Sequence, residues 1–249
     1  MPYNALSTTK IARAAGCHPN TVRLYEQWGF LPPVERSPSG YRLYTQAHLE
    51  QMIFARTALN TPWPGRPIRR SAAELVLLAA SGDLDRARQA ARHHLQVVRQ
   101  ELEYAEAAAA ALESWAHSPP QPDDRPGLLI RDAARMVGAT PDMLRGWERD
   151  GMLEVPRDLT NRYRAYGAPE LARLRVIRLL RSAGYSTMAI LRMLLRLDSG
   201  QTDDLRAALD TPREDEDAYF AADRWLTTLR GQEQIAQKLI DLLEARSGA

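Results

Sequence analysis

The segment from Ile11 to Tyr44 recurs 122 positions further on without a gap. The first copy reads Ile11-Ala12-Arg13-Ala14-Ala15-Gly16, Thr21-Val22-Arg23-Leu24-Tyr25-Glu26, Gly29-Phe30-Leu31 and Gly40-Tyr41-Arg42-Leu43-Tyr44. The second reads Ala133-Ala134-Arg135-Met136-Val137-Gly138, Met143-Leu144-Arg145-Gly146-Trp147-Glu148, Gly151-Met152-Leu153 and Arg162-Tyr163-Arg164-Ala165-Tyr166. Chance does not place charged, aromatic and glycine positions in one order twice. The chain therefore carries two copies of one folding unit, and any fold must accommodate both.

Charge follows the repeat. Residues 1–70 hold nine basic and three acidic side chains, residues 71–127 five and nine. Residues 128–200 hold thirteen and eight, residues 201–249 six and eleven. Each copy is a basic head followed by an acidic tail, although the net charge is only +2. Such alternation points to a polyanion partner for the heads alone. All but two of the 33 cationic residues are arginine, the side chain suited to bidentate phosphate contacts. One cysteine, Cys17, excludes an internal disulfide and suits a reducing compartment. No apolar run reaches a membrane span and no signal-peptide pattern opens the chain, so a cytoplasmic protein without membrane partners is expected.

Within each head the punctuation predicts short elements. Ser7-Thr8-Thr9 offers N-cap chemistry for a helix ending at Gly16. Pro19 suits the first turn of a second helix running to about Trp28 and stopped by Gly29. Two short helices joined by a tight glycine turn form a helix-turn-helix. Pro32-Pro33 forbids helix, and Ser37-Pro38-Ser39-Gly40 turns between two short extended pieces, a β-wing. A third helix begins near Thr45. The second head repeats the plan, with helices from about Leu129 and Pro141, a wing from Val155 to Tyr166, and further helices from Ala168 and after Gly184-Tyr185-Ser186. A long helix follows each head, with stripes Leu95, Val98, Leu102, Ala105, Ala109, Leu112 and Trp225, Leu229, Gln232, Ala236, Leu239, Leu243. Spacings alternating between three and four make a narrow packing seam, for another helix or for the helix's own domain. The fold class expected is mainly α: two winged helix-turn-helix domains, each followed by a long coiled-coil helix. The boundaries expected are 1–70 and 128–200 for the heads, 71–117 and 201–249 for the helical tails, and 118–127 for a proline-rich linker.

Thr-Val-Arg-Leu-Tyr-Glu, then Gly-Phe-Leu, then Gly-Tyr-Arg-Leu-Tyr resembles the DNA-binding domain of the MerR family of bacterial transcription regulators. The resemblance covers residues 7–58 and about 129–197. It implies a long helix forming a dimer-making antiparallel coiled coil, promoter DNA and RNA polymerase as partners, and activation by bending and untwisting an overlong promoter spacer. In a winged helix the N-terminal residues of the recognition helix lie nearest the base edges. Here these are His18, Asn20 and Thr21 in the first copy and Asp142 and Met143 in the second. The resemblance implies phosphate contacts for Arg23 with Tyr25 and for Arg145 with Trp147. Wing clamps are implied for Tyr41, Arg42 and Arg36, and for Tyr163, Arg164, Arg162 and Arg157. Lys10, Arg13, Arg135 and Arg149 complete the basic candidates. Tyr25 and Trp147 are also readable as core aromatics, and Glu26 and Glu148 as structural partners of a nearby arginine, since an acid facing phosphate is repelled. Because Asn20, Thr21, Leu24 and Lys10 become Asp142, Met143, Gly146 and Asp132, the two heads are expected to read unlike half-sites. Two heads and two seams in one chain allow an intramolecular pseudo-dimer, with a homodimer of tandem chains as the alternative.

The copies part company after Leu59, where Thr61-Pro62-Trp63-Pro64-Gly65-Arg66-Pro67 stands against Gly184-Tyr185-Ser186-Thr187. A regular helix cannot pass through those prolines, which leaves the support of the first wing open. Little chain follows the last seam position, so no drug-binding domain is expected there; a small-molecule effector stays unidentified. His93 and His94 are adjacent and point apart, poor joint metal ligands, and Cys17 stands alone. No cofactor, metal site or catalytic grouping is expected, and no enzyme. Two further readings use the same scaffold: a small-molecule-sequestering protein with Trp63, Trp115, Trp225 and Tyr219 as stacking residues, and an architectural DNA-binding protein similar to excisionases.

Overall fold

A computed structural model describes residues 6–62, 65–122, 126–212 and 221–246. The protein is mainly helical and divides into two compact units, residues 1–100 with 229–249, and residues 101–228. Of the sequence features singled out above, Trp63, Tyr219 and the linker residues 123–125 lie outside the described residues.

The first unit opens with α1 (Thr8–Ala14) and α2 (Pro19–Gln27). The Ser7 hydroxyl accepts the Lys10 amide, and the His18 ring accepts the Asn20 amide at 3.2 Å, so each helix has its N-cap. Gly29, at φ +75°, turns the chain out of α2 where a side chain would be strained. The wing is β1 (Glu35–Arg36) antiparallel to β2 (Arg42–Leu43), and Tyr44 bridges back to Leu6. Then come α3 (Gln46–Leu59) and α4 (Arg66–Ser81). α3 ends at Leu59, and α4 starts at Arg66 with Pro67 in its first turn, where proline is tolerated, and supports the head that sequence left open. Gln51 of α3 donates to the Phe30 carbonyl at 3.1 Å and to the Val76 carbonyl of α4 at 3.2 Å.

Ile11, Val22, Leu31, Tyr44, Met52, Phe54, Leu75 and Val76 form the core of this unit. Two tail helices contribute to it: the start of α5 (Leu84–His117) through Ala87 and Ala91, and the end of α11 (Trp225–Ala245) through Leu239 and Leu243. Arg99 of α5 pairs with Glu233 of α11 at 2.7 Å. Near the end of the described chain, Arg246 donates to the Gln51 side chain at 3.0 Å and lies 4.8 Å from the Phe54 ring centre. The head of the first repeat is thus closed by the tail of the second. A buried leucine contributes about 1.5–3 kcal/mol, so Leu239 and Leu243, both fully buried, are a substantial fraction of a small unit's stability.

The second unit contains α6 (Ile130–Val137), α7 (Pro141–Arg149), α8 (Ala168–Ser182) and α9 (Thr187–Asp198). A short α10 (Leu205–Asp210) and one 3-10 turn (Ala221–Arg224) follow; sequence periodicity gave no sign of either. The far half of α5 belongs here. Its Ala105, Ala108, Ala109 and Leu112 are buried, and the Tyr185 hydroxyl donates to the Ala105 carbonyl at 3.0 Å. Small side chains leave that carbonyl within reach. Trp225, at the start of α11, donates its indole N–H to the Ala183 carbonyl at 2.7 Å.

The repeat extends to individual bonds. Arg56 donates to the Gly16 carbonyl and Arg178 to the Gly138 carbonyl. Leu6 bridges Tyr44, and Leu128 bridges Tyr166. Where Gln51 holds Phe30 and Val76, Arg173 donates to the Met152 carbonyl at 2.7 Å and pairs with Asp198 at 2.5 Å. The second wing is looser than expected. Only Arg157 and Arg164 bridge, while the Asp158 carboxylate gathers the Thr160 and Asn161 amides into the turn. Among the described residues no helix is long and apolar enough to cross a membrane.

Candidate nucleic-acid interface

Each recognition helix buries one face and exposes the other. Val22 and Tyr25 of α2, and Leu144 and Trp147 of α7, occupy the i, i+3 stripe that packs on the head. The opposite face carries Asn20 and Arg23, or Asp142, Met143, Arg145 and Arg149, all exposed. Thr21 is half-buried beside them. In both copies the arginine is held by the side chain three residues earlier. Arg23 Nη1 donates to Asn20 Oδ1 at 2.7 Å, and Arg145 Nη1 donates to Asp142 Oδ1 at 2.5 Å. These contacts tie each guanidinium group to the helix's second position, near the N-terminus, where backbone N–H groups already favour an anion.

A buried-edge ion pair clips each wing onto its recognition helix. Arg42 Nε donates to Glu26 Oε2 at 2.5 Å, and Arg164 Nε donates to Glu148 Oε2 at 2.7 Å. Both acids therefore have the structural role expected of them. Arg36 joins the first cluster at 3.9 Å from Glu26. The carboxylate beside it raises the Arg164 guanidinium above its ordinary range, chiefly through that hydrogen bond. Tyr44 donates to Glu26 at 3.2 Å, whereas the buried Tyr166 hydroxyl has no partner among the described residues. Burial raises both phenols.

Tyr25 and Trp147 are 8% and 6% exposed, so they pack in the core and offer a phosphate little more than a ring edge. Burial raises the Tyr25 phenol as well. Tyr41 and Tyr163 are 73% and 65% exposed at the wings, open to a partner. In the second unit, Arg135, Arg145, Arg157, Tyr163 and Arg164 line one cleft of about 610 Å³, together with Arg131. Sequence reasoning missed Arg131 because its counterpart in the first copy is Thr9. Arg149 stands at the far end of α7, and Arg162, at φ +63°, faces Arg157 through its carbonyl. Lys10 and Arg13 are exposed on α1; His18, spent as a helix cap, still exposes its ring.

Residues 7–44 match the MerR family regulatory protein, and residues 128–197 match the MerR HTH family regulatory protein. The chain belongs to the MerR family. As a MerR protein it is a transcriptional regulator and not an enzyme; regulators of this family bind promoter DNA and act on RNA polymerase, often as dimers. A probable heavy metal-dependent transcriptional regulator of Haemophilus influenzae is 27% identical over 135 residues, covering 50% of this chain and 95% of the relative. A ZntR homolog of the same organism is 41% identical over 50 residues, 20% of this chain and 37% of the relative. The CueR regulator of Escherichia coli is 36% identical over 53 residues, 21% and 39% of the two chains. The chain thus spans well under half of the last two. No solved structure matches it.

Among the described residues of this MerR protein, no three His, Cys, Asp or Glu side chains are grouped to hold a metal. His94 is buried against the Ser71 hydroxyl at 2.8 Å, and burial lowers it to about 4. Trp225 is 4% exposed and hydrogen-bonded, which makes it a core residue rather than a stacking platform.

Proposed function

We propose that this protein is a sequence-specific double-stranded DNA-binding regulator that grips a promoter with two non-identical heads carried on one chain. The observation that supports this most directly is the duplicated arginine arrangement. Arg23 and Arg145 stand exposed midway along their recognition helices, each bonded to the side chain at the helix's second position, and a glutamate of the same helix holds a wing arginine, Arg42 or Arg164. Phosphate contacts of this kind position the protein and supply most of the affinity. Lys10, Arg13, Arg36 and Tyr41 extend the first footprint; Arg131, Arg135, Arg157, Arg162 and Tyr163 extend the second. The cores of Tyr25 and Trp147 hold the helices at the right depth.

The chain works as an intramolecular pseudo-dimer. Leu239 and Leu243 of the second tail are buried with the first head, and Ala105 and Leu112 of the first tail are buried in the unit of the second head. This is the helix exchange that two separate chains would make in a dimer, with the linker holding the effective concentration high. Light scattering at 28.0 kDa supports it, and twice that mass overturns it. Acting through RNA polymerase, the bound heads bend and untwist the spacer. That deformation costs on the order of 1–6 kcal/mol, which contacts made only on distorted DNA offset.

The test is a salt-dependent titration on DNA from upstream of the protein's own coding region. Arg23→Ala and Arg145→Ala each weaken binding and reduce the slope of log K against log salt by about one. Absence of preference for any duplex in dilute buffer, with the fold intact, overturns the reading.

A further inference from the structure

We propose that Leu159, at the tip of the second wing, is an aliphatic wedge that enters the minor groove beside the second half-site and opens a base step there. The inference rests on the reading of both heads as DNA-binding and deepens it, since it says on which side the duplex is deformed and by what. Leu159 is 97% exposed, whereas the next most exposed leucine among the described residues, Leu129, is 54% exposed. Single apolar side chains on a surface are ordinary. The setting of this one is not.

The turn that carries Leu159 is tied at nearly every residue. The Asp158 carboxylate accepts the Thr160 amide at 2.8 Å and the Asn161 amide at 3.0 Å, and the Asp158 carbonyl accepts the Arg162 amide at 2.9 Å. Asn161 Oδ1 accepts the Tyr163 amide at 2.8 Å, and Arg162 turns the chain at φ +63°. At the base of the turn the Tyr163 carbonyl accepts the Asp158 amide at 2.8 Å, and Arg157 donates to the Arg162 carbonyl at 3.2 Å. None of these bonds uses Leu159. The frame is therefore set before a partner arrives, which spares the cost of ordering it on binding. The first tip, Ser37-Pro38-Ser39-Gly40, has no long aliphatic side chain.

Charge and attachment select duplex DNA as the occupant. Arg164 ties the wing to Glu148 of α7, so with α7 in the major groove the wing lies over the flanking phosphate strand and its tip reaches the minor groove beyond. Arg157, Arg162 and Tyr163 are exposed around Leu159, and the negative potential of a narrow minor groove attracts such cations. Asp158, the single acid of the turn, is outnumbered by them. An aliphatic side chain inserted at a base step unstacks it and kinks the duplex toward the major groove. Burial of Leu159 between bases removes from water a side chain that the folded protein leaves there. Pyrimidine–purine steps yield most readily. The wedge thus makes the second half-site selective for a flexible step that no hydrogen bond reads, and the first half-site lacks that demand.

The full chain tests this on DNA from upstream of its own coding region, with 2-aminopurine placed in turn at the adenines of each half-site. The half-site of the second head is the one whose footprint fades in Arg145→Ala. Binding should raise the emission at one step beside that half-site and leave the first half-site unchanged. Leu159→Ala should lose the rise, and lose the preference for a pyrimidine–purine step in selection from randomised duplexes. The slope of log K against log salt should stay the same, because no phosphate contact is removed. Leu159→Met, which keeps an apolar chain of similar length, should retain both signals. An unchanged melting temperature in both variants shows the fold intact. A bound wild-type chain that gives no rise, or a rise that survives Leu159→Ala, overturns the inference and leaves DNA binding standing. So does a Leu159→Ala defect seen only when RNA polymerase is added, which would place the leucine against the polymerase. A wild-type chain with no affinity for any duplex overturns both.

Discussion

Glu26 and Glu148 occupy equivalent positions but carry different loads, and the difference predicts unequal costs for the same substitution. Glu26 accepts from Arg42 at 2.5 Å and from Tyr44 at 3.2 Å, whereas Glu148 accepts from Arg164 at 2.7 Å, with the Tyr166 hydroxyl unpartnered among the described residues. The side chains of the two pairs are 28% and 19%, and 29% and 24%, exposed. At that exposure a charge-assisted bond, discounted for solvent screening, contributes about 1–2 kcal/mol. The buried Tyr44 hydroxyl adds about 1 kcal/mol when its acceptor is lost. Glu26→Ala should therefore destabilise its wing by about 2–3 kcal/mol and Glu148→Ala by about 1–2 kcal/mol. The reporters are the Tyr44 amide, bonded to the Leu6 carbonyl at 3.1 Å, and the Tyr166 amide, bonded to the Leu128 carbonyl at 3.0 Å. Hydrogen exchange on the intact chain should show Tyr44 losing protection by roughly 30- to 100-fold and Tyr166 by roughly 5- to 30-fold, at about tenfold per 1.4 kcal/mol. Equal losses, or a larger loss at Tyr166, would refute the assignment of the extra load to the phenol.

The same comparison predicts a gain elsewhere. The Thr8 side chain lowers the Tyr44 phenol against the effect of burial, and Ile130 stands at the matching place in the second copy. Ile130→Thr should give Tyr166 a partner and slow exchange of its amide; faster exchange would show that the lost methyl groups matter more. The fold should weaken in mild acid through His94, whose value falls from 6.5 in the unfolded chain to about 4 in the folded one. As pH drops through that window the unfolded chain takes up a proton that the folded one refuses. Stability then falls by about 1.4 kcal/mol per pH unit, about 3 kcal/mol in all. His94→Gln should flatten this dependence in urea melts, and an unchanged slope would exclude His94 as its source. At Gly184, φ +97°, an added Cβ would meet the Trp225 indole at 2.8 Å. Gly184→Ala should cost about 1–3 kcal/mol, read as a lower Tm with a red-shifted tryptophan emission. Wild-type behaviour would mean that the Trp225 packing is loose.

Much of each head is legible because its signals are local. Ser7, Pro19 and Gly29 mark α1 and α2 through backbone chemistry that depends on no distant residue. The pairing of Glu26 and Glu148 with arginines followed from electrostatics alone, though the choice of Arg42 and Arg164 needed the wing folded back. Periodicity also placed Tyr25 three residues after Val22 and Trp147 three after Leu144, a sign of the buried face. The phosphate role implied by family resemblance competed with that sign. Arg131 escaped notice because a cleft gathers residues from separate elements, and one chain position carries no trace of the others.

By itself the sequence determined that one unit occurs twice, that each unit is a basic winged head with a long striped helix, and that the arginines recur in register. Repetition, caps and periodicity are properties of neighbouring residues, and they act before any distant contact forms. Only the tertiary structure decided which head each stripe would close. The end of α11 lies in the core with Ile11 and Phe54, and the far half of α5 lies under Tyr185. An apolar stripe specifies that a face must leave water, but hydrophobic burial is non-directional, so shape complementarity and chain connectivity select the partner.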